Sequence, residues 1–454
     1  MGDRRPVDAG LGPSWQTDLV EQLIPQFLAQ QPFVESTGAG YVQVPHPGRV
    51  VASLEQAARM ALGEQRTIVV NCPTEFQWEE VQYEPATLAI RRPVAEPSDD
   101  ELDTALGIIA SARKPIVLVG NGVVQADAAG SVLRLAERIG APLATTLRAR
   151  GLFSAAQGCL GVFGTVSTDV GAELITESDC VIALGASMNV WTTAHNSLLK
   201  DRALVHVDME SAQIGRYAPV AASVVADAES AAEEIIRWLD DGEIEPSTFR
   251  SHALDLLDGA PTQWQATISD GYGLGAIISE LVNALPSDTT IAFDGGRFLG
   301  EAFKYASAPS PRQQVLSTSF GAVGLGMGAA IGAAVAAPHS PTLLITGDGG
   351  YMMSGLAELS SATRCGQPLV VAICNDGSYG AEYDQYVNKG MNPELSLFEW
   401  PSFADSAIAL GAIGLTIEGA DDLDDALKIL ANPPEESVVL DIRIGAGDVP
   451  EVPH

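Results

Sequence analysis

Two stretches near the end of the chain restrict its fold more than any other feature. Residues 343–350 (LLITGDGG) form an apolar run that ends in a Gly-Asp-Gly turn, and residues 372–377 (AICNDG) form a second run after an amphipathic segment. This pattern predicts strand, helix, strand, with Asp348 and Asn375 at the carboxyl ends of the two strands. Because parallel α/β sheets bind ligands at that edge, we expect a binding site there.

The two strand ends offer hard oxygen donors. Asp348 supplies a carboxylate, Asn375 an amide oxygen and the following turn a backbone carbonyl, which is the donor set that Mg²⁺ accepts when it also holds a diphosphate. Gly349 and Gly350 allow backbone N–H groups to approach an anion at the start of the helix, where the helix dipole favours negative charge. The alternative is a pair of capped turns without a metal.

Composition excludes several other classes of protein. The 454 residues contain 25 Lys+Arg and 58 Asp+Glu, a net charge of −33, so we expect neither nucleic acid nor an anionic membrane as a partner. The apolar stretch 322–337 is too short to cross a bilayer and predicts a buried helix. Five cysteines without C-x-x-C spacing predict buried free thiols in a reducing compartment. The chain opens without a signal-peptide pattern, which favours a cytoplasmic protein.

Strand and helix patterns divide the chain into three units of α/β type, each predicted to contain a doubly wound parallel sheet. Residues 1–95 give helices near 18–29 and 52–62 and one strand, which is too little for a whole domain, so the first sheet is expected to be incomplete. A charged, Pro-containing linker at 91–100 precedes the second unit, 99–241, and the third spans 250–454. Strands are predicted in these units at 67–71, 115–119, 142–146, 180–185, 203–208, 290–294, 343–347, 372–375 and 437–442, and later helices at 403–410 and 423–430.

Two further Gly-rich turns follow predicted strands. Gly120-x-Gly122 is only a fragment of a dinucleotide-binding fingerprint, so we interpret it as a turn. Gly295 and Gly296 precede Arg297, and this turn could offer N–H groups and a guanidinium to a phosphate. The alternative is a capped turn with a surface arginine.

The order Gly-Asp-Gly, helix, then Asn after a second apolar run resembles the signature of thiamine-diphosphate (ThDP) enzymes. Over nearly the whole chain, the order of elements is similar to the branch that contains acetolactate synthase and benzoylformate decarboxylase. The resemblance implies a partial pyrimidine-binding domain (1–95), a central Rossmann-like, six-stranded domain (99–241) and a diphosphate- and Mg²⁺-binding domain (250–454). It also implies that Mg²⁺ is bound by Asp348, Asn375 and the carbonyl of Gly377. The other cofactor-binding residues that we assign are Gly295, Gly296, Gly321, Val323, Gly347, Gly349, Gly350 and Tyr379.

The resemblance assigns a special role to residues 321–324 (GAVG). Enzymes of this family place a bulky apolar side chain under the cofactor and bend it, so that its amino group reaches the reactive carbon. That position falls on Val323, with the Gly321 carbonyl accepting from the amino group. Held in this way, the amine can act as an intramolecular base. The alternative is that Val323 is an ordinary core residue.

One expected residue has no counterpart. In the family, a glutamate early in the pyrimidine-binding domain activates the cofactor, but Met1 aligns midway through that domain. Glu21, Glu35, Glu55 and Glu64 lie downstream of the expected position, so the sequence assigns no catalytic residue. We therefore expect the 454 residues alone to be nearly inactive.

Three functions follow as hypotheses. The first is a ThDP- and Mg²⁺-dependent enzyme that decarboxylates a 2-oxo acid or transfers its acyl unit, in a homodimer or homotetramer. The second is a catalytically impaired ThDP-binding subunit that lacks the activating glutamate. The third, a nucleotide-binding oxidoreductase, is disfavoured by the missing dinucleotide fingerprint. Neither the particular 2-oxo acid nor FAD binding can be assigned from the sequence.

Overall fold

The computed structural model describes residues 29–64, 66–82, 95–259, 273–317, 320–445 and 449. The chain divides into two compact units, residues 1–94 and 95–454. The helix predicted near residues 18–29 lies outside the described residues except for its last position, as does the linker before residue 95. The three predicted domain boundaries stay predictions.

The described part of the first unit contains a pair of parallel strands, β1 (Gly40–Gln43) and β2 (Ile68–Asn71). Helix α1 (Gln30–Ser36) precedes β1, and α2 (Val50–Glu64) connects the two strands. The predicted helix at 52–62 and strand at 67–71 are therefore confirmed, whereas β1 was not predicted.

The first half of the second unit is built on a six-stranded, all-parallel sheet in the order β5-β4-β3-β6-β7-β8. Its strands are β3 (Pro115–Val119), β4 (Leu143–Thr145), β5 (Cys159–Val162), β6 (Cys180–Leu184), β7 (Ala203–Asp208) and β8 (Ala222–Val225). The helices are α3 (Asp99–Ser111), α4 (Asn121–Ala126), α5 (Ala129–Ile139), α6 (Asp169–Glu177), α7 (Ala228–Asp241) and α8 (Phe249–Gly259). Buried apolar clusters on both faces explain why β3 and β6 are apolar at every position.

The Gly120-x-Gly122 turn has a packing role. A Cβ at Gly120 would lie 2.0 Å from the carbonyl oxygen of Gly185, and one at Gly122 would lie 2.7 Å from the Gly185 Cα. The turns after β3 and β6 therefore pack backbone against backbone, which only glycine permits.

The second half carries another six-stranded parallel sheet, in the order β10-β9-β11-β12-β14-β13. Its strands are β9 (Thr290–Phe293), β10 (Gln314–Leu316), β11 (Thr342–Gly347), β12 (Val370–Asn375), β13 (Ile413–Ile417) and β14 (Val438–Arg443). The helices are α9 (Leu274–Ala284), α10 (Leu299–Tyr305), α11 (Gly326–Ala336), α12 (Asp348–Gly350), α13 (Leu356–Arg364), α14 (Gly380–Asn388), α15 (Phe403–Ala409) and α16 (Ala420–Leu430), with a π-helical turn (Tyr351–Gly355) joining α12 to α13. The predicted α/β class with parallel sheets is confirmed.

Arg150 connects the two halves of the second unit. Its Nη1 donates to the Phe303 carbonyl and its Nε to Oε1 of Gln314, 2.8 Å away. Gln314 in turn donates to the Leu147 carbonyl at 2.7 Å, and the guanidinium lies 5.4 Å from the centre of the Phe293 ring. Because burial removes water from this cation, the pKa of Arg150 falls to about 9.

Two expectations about burial were wrong in part. The helix predicted within 322–337 begins at Gly326, and only one of its faces is buried; Gly332 and Val335 on the other face are exposed. Among the cysteines, Cys72 and Cys365 are exposed, since both lie beyond the apolar runs that form the strands. Within the described ranges, no helix combines the length and the apolarity needed to cross a membrane. The expected cytoplasmic location stays a prediction.

Candidate functional site

Three neighbouring strands bring the predicted site residues to the carboxyl edge of the second six-stranded sheet. Strand β11 lies between β9 and β12 and is parallel to both. Asp294 follows β9, Asp348 follows β11 and Asn375 ends β12. Residues from three separate segments therefore meet at the carboxyl ends of these strands, as expected for a parallel sheet.

Asp348 is a buried carboxylate, only 3% exposed. Its Oδ1 accepts from the Gly349 N–H at 2.8 Å and its Oδ2 from the indole N–H of Trp400 at 2.8 Å. Burial, and next the charge of nearby Asp376, raise the pKa of Asp348 to about 6, although the Gly349, Trp400 and Gly377 N–H groups act in the opposite direction. Among the described residues, the hydrogen bonds to Asp348 come from neutral groups and no ion pair neutralises it.

Asn375 is held by a second buried acid, Asp441. The Nδ2 of Asn375 donates to Oδ1 of Asp441 at 2.7 Å, and Oδ2 of Asp441 accepts from Arg443 at 2.7 Å and from the Phe403 N–H at 3.2 Å. This contact fixes which end of the amide is nitrogen. The Asn375 Oδ1 therefore points away from Asp441 and accepts from the Gly377 N–H at 3.3 Å.

Asp294 organises the loop that carries Val323. Its carboxylate accepts from the N–H of Gly324 at 3.0 Å, from the N–H of Gly326 at 3.1 Å and from the Thr346 hydroxyl at 3.0 Å. A Cβ at Gly350 would lie 2.5 Å from Oδ2 of Asp294. The loop before α11, the end of β11 and the start of α12 are thus packed around one acid.

The Val323 side chain packs against the glycines of two turns, Gly350 and Gly295. A Cβ at Gly350 would lie 3.2 Å from Cγ1 of Val323, and one at Gly295 would lie 3.4 Å from its Cγ2. Val323 is 43% exposed, so the alternative that it is an ordinary core residue was wrong. Gly321 is exposed with a φ of 77°, and Gly296, with a φ of 154°, packs against the Phe298 ring.

The remaining predicted residues lie on the other side of Asp348. A Cβ at Gly349 would lie 2.7 Å from Cε1 of Tyr379, and one at Gly347 would lie 3.3 Å from the Phe298 ring. Gly377 adopts a φ of 65°, and its carbonyl accepts from the Phe398 N–H at 2.8 Å. Since a carbonyl oxygen has a second lone pair, this bond leaves one acceptor position.

Arg297 is not the surface residue of the alternative interpretation. Its guanidinium is buried and donates to Asp376 and to Asp384, both at 2.6 Å. Both acids come from the β12–α14 segment, so Arg297 joins the turn after β9 to the turn after β12. It stabilises the site through this pairing.

Sequence reasoning missed three residues of the site: Asp294, Asp441 and Trp400. Asp294 and Asp441 each had a signal, because an acid at the end of, or within, an otherwise apolar strand needs a buried partner. Trp400 had no such signal, since its partner Asp348 lies 52 positions earlier.

Two family models match this chain. One, described as the central domain of thiamine pyrophosphate enzymes, matches residues 102–235. The other, described as the C-terminal TPP-binding domain of the same enzymes, matches residues 294–442. Together they cover both six-stranded sheets.

The chain belongs to the thiamine pyrophosphate enzyme family. Every site residue predicted for this thiamine pyrophosphate enzyme, from Gly295 to Tyr379, lies within the span of the TPP-binding domain.

Curated relatives of this thiamine pyrophosphate enzyme are similar over most of its length. It is 26% identical to a sulfoacetaldehyde acetyltransferase from Castellaniella defragrans, over 85% of this chain and 69% of the relative. It is 28% identical to an acetolactate synthase from Mycobacterium leprae, over 78% of this chain and 59% of the relative. A probable acetolactate synthase large subunit from Methanocaldococcus jannaschii is also 28% identical, over 90% of this chain and 72% of the relative.

The donor set of this thiamine pyrophosphate enzyme fits a hard divalent cation. Asp348 is a buried acid beside a second acid, Asp376, while the Asn375 amide ends the neighbouring strand β12 and the Gly377 carbonyl lies in the turn after it. No cluster of three or more His, Cys, Asp or Glu side chains suited to a metal occurs in the described ranges. A cation at this edge would therefore need amide and carbonyl oxygens beside the one carboxylate, which are ligands that Mg²⁺ accepts.

Proposed function

We propose that this enzyme binds ThDP together with Mg²⁺, with the cation held by Asp348, Asn375 and the carbonyl of Gly377. One observation carries the proposal. Asp348 is a carboxylate 3% exposed that accepts from one backbone N–H and one indole N–H, whereas the equally buried Asp294 accepts from three backbone N–H groups and a hydroxyl. Since burying an uncompensated anion is costly, a bound cation is the simplest explanation for its retention.

We further propose that the enzyme acts on a 2-oxo acid, either decarboxylating it or transferring its acyl unit to a second carbonyl compound. The names of the relatives, acetolactate synthase and sulfoacetaldehyde acetyltransferase, support the transfer reaction.

Bound ThDP would supply the electron sink that this chemistry needs. The chain's own residues would bind and orient it. Asp441 keeps the oxygen of Asn375 turned away from itself, and Asp294 holds the loop that places Val323 above Gly350. Val323 is therefore suited to support the bent cofactor, with the Gly321 carbonyl two residues earlier as acceptor for its amino group.

We also propose that the enzyme forms a homodimer or homotetramer through the surface around α11. Phe320, Leu325, Val335 and Met353 are exposed there, Phe320 by 85%. A Cβ at Gly324 would lie 3.2 Å from the Cβ of Met353, so this apolar surface reaches the site. Exposed apolar surface of this kind is typical of protein interfaces.

Calorimetry with ThDP and MgCl₂ tests the cofactor site. The wild-type chain should bind ThDP in a Mg²⁺-dependent manner. Asp348→Ala should weaken this binding by more than about 100-fold, beyond the effect of removing a residue that only orients a ligand. Asp405→Ala, which removes an exposed acid on α15, is the matched control and should bind normally. Unchanged, Mg²⁺-dependent binding by Asp348→Ala would refute the site.

Release of CO₂ from pyruvate, a simple 2-oxo acid, tests the reaction. Turnover that requires both ThDP and Mg²⁺ would support the proposed enzyme and would contradict the expectation that these 454 residues alone are nearly inactive. Tight Mg²⁺-dependent binding without turnover of any 2-oxo acid tested would instead support the alternative, a ThDP-binding subunit that lacks catalytic activity.

A further inference from the structure

A short segment outside the motifs contacts two of the three proposed metal ligands. Residues 396–400, here called the strap, run back past the end of β12. Within the strap, the Phe398 N–H donates to the Gly377 carbonyl at 2.8 Å, and the Trp400 indole N–H donates to Oδ2 of Asp348 at 2.8 Å. The strap therefore joins the turn after β12 to the carboxylate after β11.

Aromatic stacking fixes the direction of the Trp400 indole. The Phe398 and Trp400 rings are stacked, with centres 4.6 Å apart and planes 14° apart. Tyr379 also contacts Phe398, with ring centres 4.5 Å apart and planes tilted by 51°. The Tyr379 N–H also donates to the Ser396 carbonyl at 2.9 Å, so backbone and side chains hold the strap together.

The chemistry of the indole fixes the direction of this hydrogen bond, from Trp400 to Asp348. An indole nitrogen can only donate a hydrogen bond, so Trp400 favours an Asp348 oxygen that accepts one. The Gly349 N–H makes the same demand on the other oxygen. With both oxygens engaged, the plane of the carboxylate is set before any cation arrives, while each oxygen keeps a lone pair for a cation.

We propose that Trp400 is a positioning residue of the Mg²⁺ site: its indole N–H fixes the orientation of the Asp348 carboxylate and thereby raises the affinity for the cation. This inference rests on the proposed function, because it requires Asp348 to be a metal ligand. Trp400 acts through Asp348 and is not assigned a contact with the substrate.

The test is the Mg²⁺ affinity of Trp400→Phe, measured by calorimetry with MgCl₂ at saturating ThDP. Phenylalanine keeps an aromatic ring that can stack on Phe398 and lacks the N–H donor. We expect Mg²⁺ binding to weaken by about 10- to 100-fold, the usual effect of losing a group that orients a metal ligand. Trp238→Phe, at an exposed tryptophan on α7, is the matched control and should keep the wild-type affinity.

A second measurement on the wild-type chain covers the case in which Trp400→Phe folds poorly. With ¹⁵N-labelled tryptophan and ThDP already present, the indole resonance of Trp400 should shift as MgCl₂ is added. The reason is that a bound cation draws electron density from the Asp348 oxygen that accepts the hydrogen bond of the indole. The Trp238 resonance should stay in place.

The outcomes separate this inference from the proposed function. If Asp348→Ala abolishes binding while a folded Trp400→Phe keeps wild-type Mg²⁺ affinity, Trp400 has only a packing role and the inference is wrong. If Asp348→Ala binds normally, the metal site itself is wrong and the role of Trp400 is lost with it. An indole resonance of Trp400 that ignores Mg²⁺ would likewise overturn the inference.

Discussion

Three buried acids around the candidate site in the second six-stranded sheet differ in their hydrogen-bond partners. Asp294 accepts hydrogen bonds from loop N–H groups and a hydroxyl, and Asp441 is paired with Arg443. Asp348 has fewer partners than Asp294: one backbone N–H and one indole N–H lie at hydrogen-bond distance, and among the described residues no cation pairs with it as Arg443 does with Asp441. A residue-by-residue comparison therefore separates two acids that shape the site from the one that remains for a ligand.

Val323 gives the first prediction at this scale. In a form of the protein that turns over a 2-oxo acid, Val323→Ala should lower kcat by up to about 100-fold, because a misplaced reacting group loses the advantage of proximity. The Kd for ThDP with Mg²⁺ should change much less, since the proposed affinity comes from the diphosphate and metal contacts. Steady-state kinetics and calorimetry on the same protein measure the two effects, with Val387→Ala on α14 as control. An equal loss in kcat and in binding would show that Val323 has no role in cofactor geometry.

His206 gives a prediction about pH. Burial is the main cause that lowers the pKa of His206 below its ordinary 6.5, and its Nε2 lies 2.8 Å from the Ala186 carbonyl, to which it donates. The unfolded chain therefore takes up this proton first as the pH falls, so the contribution to stability is complete above about 6.5 and is lost below it.

The measurement for His206 is the urea midpoint between pH 7.5 and 5.5. His206→Gln keeps an N–H donor for Ala186 but does not titrate, so its midpoint should fall less over this range than that of the wild type. Parallel pH profiles for the two proteins would contradict the prediction.

The residues that could be predicted are those in compact motifs. Gly347 to Gly350 and Asn375 to Gly377 lie in two short runs, so the sequence pattern alone could place them at the ends of two strands; their roles at a cofactor stay predictions. Asp441 could not be matched to Asn375 in the same way, because 66 positions separate the two and only the order of the strands brings them together.

Among the elements, every interior strand of the two six-stranded sheets was predicted and every edge strand was missed. The missed strands are β5, β8, β10 and β13, which lie at the four edges. An interior parallel strand is covered on both faces and by both neighbours, which produces a continuous apolar run. An edge strand has one neighbour: β10 is three residues long and half-buried throughout, so its sequence pattern is weak.

Helix α11 gives a prediction about a single element of the fold. Val335 is 59% exposed on its apolar outer face, and we expect a second copy of the chain to cover it. Val335→Glu should therefore shift the protein towards the monomer in analytical ultracentrifugation, because a carboxylate at the interface would lose its water. Val387→Glu, at a valine 49% exposed on α14, should leave the assembly unchanged. A monomeric wild-type protein would refute the proposed assembly.

For the molecule as a whole, Arg150 is the contact between the two large sheets that is most open to test. Arg150→Ala should lower the free energy of unfolding by about 1–3 kcal/mol, because the Phe303 carbonyl loses its donor in a buried place. Urea denaturation measures this effect. Arg134→Ala, which removes an exposed ion pair with Glu233, should cost less than about 1 kcal/mol. Equal losses of unfolding free energy in the two variants would show that the buried guanidinium contributes no more to stability than an exposed ion pair.

The Arg150 guanidinium restricts which relatives can supply a replacement for the TPP-binding domain of this protein. A chimera that takes residues 294–442 from another family member inherits that protein's counterparts of Phe303 and Gln314, while Arg150 stays with the host. If the incoming segment offers no acceptor at position 314, the junction encloses a cation with fewer partners than it has now. Domain exchange will therefore succeed most often when residues 147–150 are transferred together with the TPP-binding domain.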